Sequence, residues 1–195
     1  MVQGDKWRSL VTAAMTLFHR QGFARTSLAD IAEAAGVPLG NVYYYFKTRD
    51  ELLKAVLDER LAIIRAMRER FESLPDPRER LLAFIAGFDE RAGESTAFGC
   101  PVGGLCQEIN KQDGTSAEEA AALLQDGLEW VARQFRAMGF REAQARDFAS
   151  RMIAARQGSI LLSNSFKDPR YIHQESARLR EWVAGLASPK ERKSK

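Results

Sequence analysis

Thiol and imidazole groups are scarce in this sequence: of 195 residues, two are cysteine and two are histidine. Cys100 and Cys106 make no disulfide framework, which suits a reducing compartment. His19 and His173 lie far apart and show no metal-ligand spacing, so neither a metal nor another cofactor is expected. No apolar run approaches the ~20 residues that cross a bilayer, so no membrane partner is expected. The opening Met1-Val2-Gln3-Gly4-Asp5-Lys6 has no hydrophobic signal segment, and a cytoplasmic location is the expectation. Glycine-rich phosphate loops and nucleophile elbows are missing too, which leaves no sequence signature of an enzyme. A net charge of +3 is too small to identify a partner by itself.

What is present is an ordinary globular balance, 45% apolar and 28% charged, arranged almost entirely at helical period. Trp7, Leu10, Val11, Ala14, Leu17 and Phe18 recur at three and four, predicting a first helix over 3–21. Gly22 follows as its left-handed terminator and Phe23 as the apolar clamp beyond it. Ser27-Leu28-Ala29-Asp30 resembles a capping box and opens a short second helix that ends at Gly36. Pro38, Leu39 and Gly40 open a third through Phe46. Thr48-Arg49-Asp50-Glu51 caps a long fourth helix, with a stripe from Leu52 and Leu53 to Phe71. It stops at Leu74-Pro75-Asp76-Pro77. Further helical patterns cover 78–92, 101–111, 117–138, 141–165 and 170–187, and no segment reads as a strand. The expected fold is therefore all-α, with about nine helices.

The stretch from Phe23 to Leu53 carries the functional information. Two short helices joined by Gly36-Val37-Pro38 fit a helix-turn-helix, whose second helix enters the major groove of DNA. Ala32, Ala35 and Val37 are small enough for a close crossing, and Val42 and Phe46 should face inward. That leaves Leu39, Gly40, Asn41, Tyr43 and Tyr44 toward a groove. Asn41 suits a base edge, and tyrosine hydroxyls suit phosphates. Lys47 and Arg49 stand where the next helix starts, close to N–H groups that favour a phosphate. Over residues 1–49 the bases exceed the acids by three.

The string Leu17-Phe18-His19-Arg20-Gln21-Gly22-Phe23, then Thr26 to Ala32, then Ala35 to Leu53, closely resembles the DNA-binding domain of the TetR family over residues 3–55. The resemblance implies a three-helix reading head in residues 1–47 and a larger helical ligand-binding and dimerisation domain in 48–188. It also implies a homodimer on double-stranded operator DNA, released when a small-molecule effector binds. Residues matching Leu39, Gly40, Tyr43 and Tyr44 approach bases or backbone in that family. Those matching Asn41 and Arg49 contact phosphates, and Thr26, Ser27 and Lys47 complete the expected DNA-binding set.

The last two long helices carry the stripes Phe148, Met152, Ile160, Leu161 and Leu179, Trp182, Val183, Leu186. They are expected to form a four-helix dimer interface with a twofold copy. Candidate effector-pocket residues are Phe84, Phe88, Leu105, Leu123, Trp130 and Phe135. In Gly99-Cys100-Pro101, proline at a first helical position would make Cys100 the N-cap, where the dipole lowers a thiol's pKa. This segment is similar to one in thiol-sensing TetR members of the N-ethylmaleimide reductase repressor type, so Cys100 is a candidate electrophile sensor. Cys106, six residues further along a helix, stands too far to pair with it directly. The basic end Lys190, Arg192, Lys193 and Lys195 reads as a solvated tail over 189–195. Three readings compete with a repressor: an activator of the same fold, a helical enzyme, and a protein-binding adaptor. A steep salt dependence of binding separates DNA from protein as the partner.

Overall fold

In a computed structural model, which describes residues 3–111 and 116–187, α1 (Gln3–Gln21) closes on Gly22 at φ 92°. The Gly22 amide donates to Phe18 O at 3.2 Å, and the Phe23 ring turns back to meet Phe18 edge-on at 5.0 Å. Ser27 then caps α2 (Leu28–Ala35) through a complete capping box. Its Oγ accepts from Asp30 N at 3.1 Å while the Asp30 carboxylate accepts from Ser27 N at 2.8 Å. Aspartate thus does the work usually given to the longer glutamate. Gly36 at φ 63° ends α2, and Val37 follows it into the core. Next come α3 (Leu39–Tyr45) and α4 (Arg49–Glu72), the latter opened by Thr48, whose Oγ1 accepts from Glu51 N at 3.1 Å.

The remaining elements are α5 (Pro77–Glu90), α6 (Ala92–Phe98), α7 (Gly103–Ile109), α8 (Ser116–Ala137), α9 (Glu142–Phe166) and α10 (Arg170–Gly185). All nine expected helices are present, and no strand occurs among the described residues. The addition is α6. Its sequence, Ala-Gly-Glu-Ser-Thr-Ala-Phe, offers only Ala92 and Ser95 to the interior and so has no apolar stripe to detect.

Two compact units result. The first comprises residues 1–65 and 101–123, the second residues 66–100 and 124–195. In the first, Leu10, Val11, Ala14 and Phe18 of α1 are buried with Ile31, Val42, Phe46 and the start of α4 at Leu52, Leu53, Val56 and Leu57. It also takes in α7, where the Cys106 thiol donates to Ala120 O at 3.0 Å. In the second unit, α10 packs on α5 and α9, and α6 packs on α9. Phe135, Phe140, Phe148 and Trp182 form one aromatic cluster, while Phe71, Phe84, Phe88 and Trp130 form another. Arg78 of α5 closes α10 by donating to Val183 O, Ala184 O and Leu186 O at 2.7, 2.9 and 2.8 Å. A cation there meets both the unpaired carbonyls and the negative end of the helix. The expected tail over 189–195 lies outside the described residues.

Candidate nucleic-acid interface

Seven residues are too few for α3 to be stable alone, so packing decides its orientation. Val42 and Phe46 are buried, with Trp7 of α1 lying 6.3 Å from the Phe46 ring. With that face fixed, helical geometry turns Leu39, Gly40, Tyr43 and Tyr44 outward. Tyr43 is 50% exposed and Tyr44 62%, unusual for aromatics on so small a head. Tyr44 is steadied edge-on against Tyr45 at 5.0 Å. Asn41 is half-buried beside them. A side chain at Gly40 would meet no atom of this chain within 4 Å, so the surface is open there. Lys47 is exposed at the C-terminal end of α3, with Nζ donating to Tyr43 O at 2.9 Å.

Two of the expected DNA-binding residues are otherwise engaged. Thr26 is 1% exposed. Its Oγ1 donates to Gly22 O at 2.7 Å and accepts from Gln21 at 3.3 Å, so it ties the α1–α2 turn together and has no reach toward a groove. Arg49 folds inward: its guanidinium donates to Phe23 O and lies 3.9 Å over the Phe23 ring. It fastens the start of α4 to the same turn. Ser27 stays exposed, its hydroxyl spent on the capping box.

A residue given no role from the sequence completes that turn. Glu108 of α7 accepts from Phe23 N at 2.6 Å and Ala24 N at 3.2 Å. A Cβ on Gly22 would stand 2.5 Å from Glu108 Oε1, so the glycine supplies both the positive φ and the space for the carboxylate. Only its neighbourhood to Cys106 and Gln107 on a short helix was legible.

A three-helix head with an exposed face on its third helix, together with further helices, is the architecture of a one-component regulator, and sequence comparison identifies which kind. Residues 10–56 match the family model for bacterial regulatory proteins of the tetR family, and residues 77–177 match that for the C-terminal domain of LmrA/YxaF-like transcriptional regulators. The chain belongs to the TetR family. Its function class is transcription regulation through a helix-turn-helix. It is 28% identical to the HTH-type transcriptional regulator LmrA of Bacillus subtilis over 171 residues, covering 86% of this chain and 91% of the relative. Over 49 residues, 25% of this chain and 23% of the relative, it is 49% identical to TtgR of Pseudomonas putida. In fold it is similar to a TetR transcriptional regulator from Legionella pneumophila (TM-score 0.81, 17% identity, 89% and 94% of the two chains covered). It is also similar in fold to E. coli NemR in its reduced form (TM-score 0.76, 17% identity, 94% and 98% covered). Among the described residues no helix is long and apolar enough to cross a membrane.

The candidate effector-pocket residues fall in different parts of the structure. Leu105 and Leu123 belong to the first unit's core, whereas Phe84, Phe88, Trp130 and Phe135 belong to the second. Within the second, Phe135 sits with Phe140, Phe148 and Trp182, apart from the Phe84–Phe88–Trp130 cluster. Cys100 is buried, but it is not an N-cap: α7 starts two residues later, with Val102 in that position and no side-chain cap. Pro101 and Val102 form a turn, so the helix-dipole argument for Cys100 fails. Its Sγ instead accepts from Gln157 Nε2 at 3.4 Å.

Of the eight expected dimer residues, Met152, Ile160, Leu179 and Val183 are buried within the single chain and have no surface to offer a copy. Phe148, Trp182 and Leu186 are half-buried. Leu161 is exposed, joined on α9 by Leu162 and Phe166. The two apolar stripes read from α9 and α10 are thus largely their intramolecular faces.

Proposed function

We propose that this chain is a homodimeric repressor that binds a palindromic operator through α3 and is released by a small-molecule effector. The exposed Tyr43–Tyr44 pair on a helix whose other face is locked by Val42 and Phe46 carries the reading. Leu39, Gly40 and Asn41 would approach bases or sugars there, and Lys47 a phosphate. Dimerisation is supported by the exposed stripe Ala154, Gly158, Leu161, Leu162 and Phe166 on α9, small residues followed by large ones. Two heads in a twofold dimer read half-sites roughly 34–36 Å apart or a multiple of it.

The test is a fluorescence-anisotropy titration with the DNA upstream of the chain's own gene. Tight binding at two chains per site, falling steeply with salt, supports the reading. Salt-insensitive binding, or binding only to protein, sinks it in favour of an adaptor. A second reading of release is alkylation of Cys100, supported by its position against Gln157 and beside the Arg156 charge. A Cys100→Ser variant that binds DNA but no longer responds to a thiol-reactive electrophile supports it; retained release refutes it.

A further inference from the structure

The second unit draws three arginines together, and one of them, Arg156, has no carboxylate partner among the described residues. Arg68, Arg91 and Arg156 come from α4, the end of α5 and α9, and Arg156 feels the charge of both others through space. Asp126 accepts from Arg68 Nη1. The neighbouring Glu72 is spent on Arg80 at 3.0 Å, Arg133 at 2.9 Å and the Trp130 indole at 2.8 Å. Among the described residues Arg91 donates to the Met67 sulfur, at 3.4 Å. Arg156 donates no hydrogen bond among the described residues, and its Nε is buried without a partner. A guanidinium has five N–H donors and stays charged, so a buried one ordinarily finds a carboxylate or several acceptors.

Here it finds aromatic faces instead: Arg156 lies 4.7 Å over Phe88 and 6.0 Å over Phe84, and Arg68 lies 5.7 Å over Trp130. Such contacts offset desolvation only in part. Burial pushes the Arg156 pKa down; Cys100 opposes this, and the charges of Arg91 and Arg68 add to it. Yet Arg156 keeps part of its surface accessible. Two glycines make room for the other arginines. A Cβ at Gly87 would lie 2.9 Å from Arg91 Nη2, and one at Gly127 would lie 3.4 Å from Arg68 Nη2.

From this we propose that the effector is an aromatic anion, its carboxylate or comparable acidic group held by Arg156 with Arg91 and Arg68, its ring packed on Phe84, Phe88 and Trp130. The proposal rests on the regulator reading and names the chemistry of its ligand. A planar guanidinium with free donors takes an anion by paired hydrogen bonds, and the aromatic faces beside it reward a flat apolar body. A neutral aromatic would gain the packing but leave the arginines as they are.

The experiment compares two dyes that differ only in charge, anilinonaphthalene sulfonate and its uncharged parent phenylnaphthylamine, by fluorescence titration of the full chain. The wild type should bind the sulfonate more tightly by about tenfold or more. Arg156→Met should reduce that preference to about twofold, and Arg156→Lys should keep part of it. Arg178→Met, which removes an exposed partner of Glu175, should leave it unchanged. Equal affinity for both dyes, no binding of either, or an undiminished preference in Arg156→Met overturns the proposal. Stability gives an independent readout. Without ligand, Arg156→Met should melt at the wild-type temperature or above it, because it removes an unpaired buried charge. A marked fall would make Arg156 a structural residue and also overturn the proposal. Operator binding by the wild type is measured separately, so failure of the anion site and failure of the regulator reading are distinguishable.

Discussion

Removing the Glu108 carboxylate should loosen the reading head from its first turn, and the size of the effect follows from its two hydrogen bonds. The Phe23 amide it accepts from, at 2.6 Å, is partly buried, and the Ala24 amide, at 3.2 Å, is exposed. A charge-assisted bond to a group that water cannot easily reach contributes ~1.5–3 kcal/mol, whereas an exposed amide recovers most of its bond from solvent. Glu108→Ala should therefore cost about 2–3 kcal/mol, which in a chain of this length lowers Tm by roughly 4–12 °C. Gly22→Ala should cost more. Its φ of 92° penalises any Cβ by ~1–2 kcal/mol, and the new methyl, 2.5 Å from Oε1, must also expel the carboxylate.

That shared atom makes the prediction sharp. Once Glu108 is gone, Gly22→Ala pays only the backbone term, so the double variant should be about as stable as Gly22→Ala alone. Thermal denaturation followed by circular dichroism gives the cycle, and hydrogen exchange over residues 18–27 should show lost protection in all three variants. Strictly additive losses would refute the account, because they would mean that the glycine and the carboxylate act independently.

Other consequences are testable with the same material. Tyr44→Ala removes a 62% exposed ring that supports no core residue, so operator affinity should fall while Tm stays within about 1–2 °C and the dimer persists; a folding defect would place Tyr44 in the core instead. Leu161→Glu with Phe166→Glu should yield a folded monomer by sedimentation, and an intact dimer would move the interface off this face of α9. Acid should destabilise the second unit. Burial raises the Asp89 and Glu72 carboxyls, but Arg180 and His173 at Asp89, and Arg133, Trp130 and Arg80 at Glu72, hold both below the ordinary range. Their contribution is complete above the unfolded carboxylate pKa of about 4 and is lost as pH falls through the lower folded values. Melting temperature should be flat from neutrality to about pH 5 and drop below it, and Asp89→Asn should flatten the drop while costing about 1 kcal/mol at neutral pH after solvent screening.

The fold was legible wherever a helix carries its own signals. Ser27 with Asp30, Thr48 with Glu51, and the left-handed glycines 22 and 36 mark termini by local chemistry, and the structure uses every one of them. α6 was invisible because a seven-residue helix burying an alanine and a serine leaves no periodic trace. The face of α3 was legible too: two apolar residues four apart, Val42 and Phe46, fix which side is left for a groove. Thr26 and Arg49 have partners within the chain that the sequence did not show, for one reason. Both are polar residues at a helix start, and sequence cannot say whether such a group points at a ligand or back at the turn it terminates. The Cys100 expectation turned on two residues of phase, since a proline can open a helix or belong to the turn before it.

The arginines of the second unit show a signal that was in the sequence and went unread. Arg156 stands between Met152 and Ile160 at steps of four, Arg91 three residues after Phe88, and Arg68 four after Ile64 and three before Phe71. Each occupies a place in an apolar stripe where the period calls for a hydrophobe. One such residue is commonly a snorkelling side chain whose head reaches water. Three, from three elements, with Arg156 feeling the charges of the other two, are not all explained so, because that repulsion has to be offset by something. Folding alone would favour methionine or leucine at these positions. A polar residue that breaks the helical period at matching depth on several helices therefore points to a ligand, and to its charge, before any cavity is seen. Here the sign is negative, and the aromatic partners at 84, 88 and 130 give the rest of its chemistry.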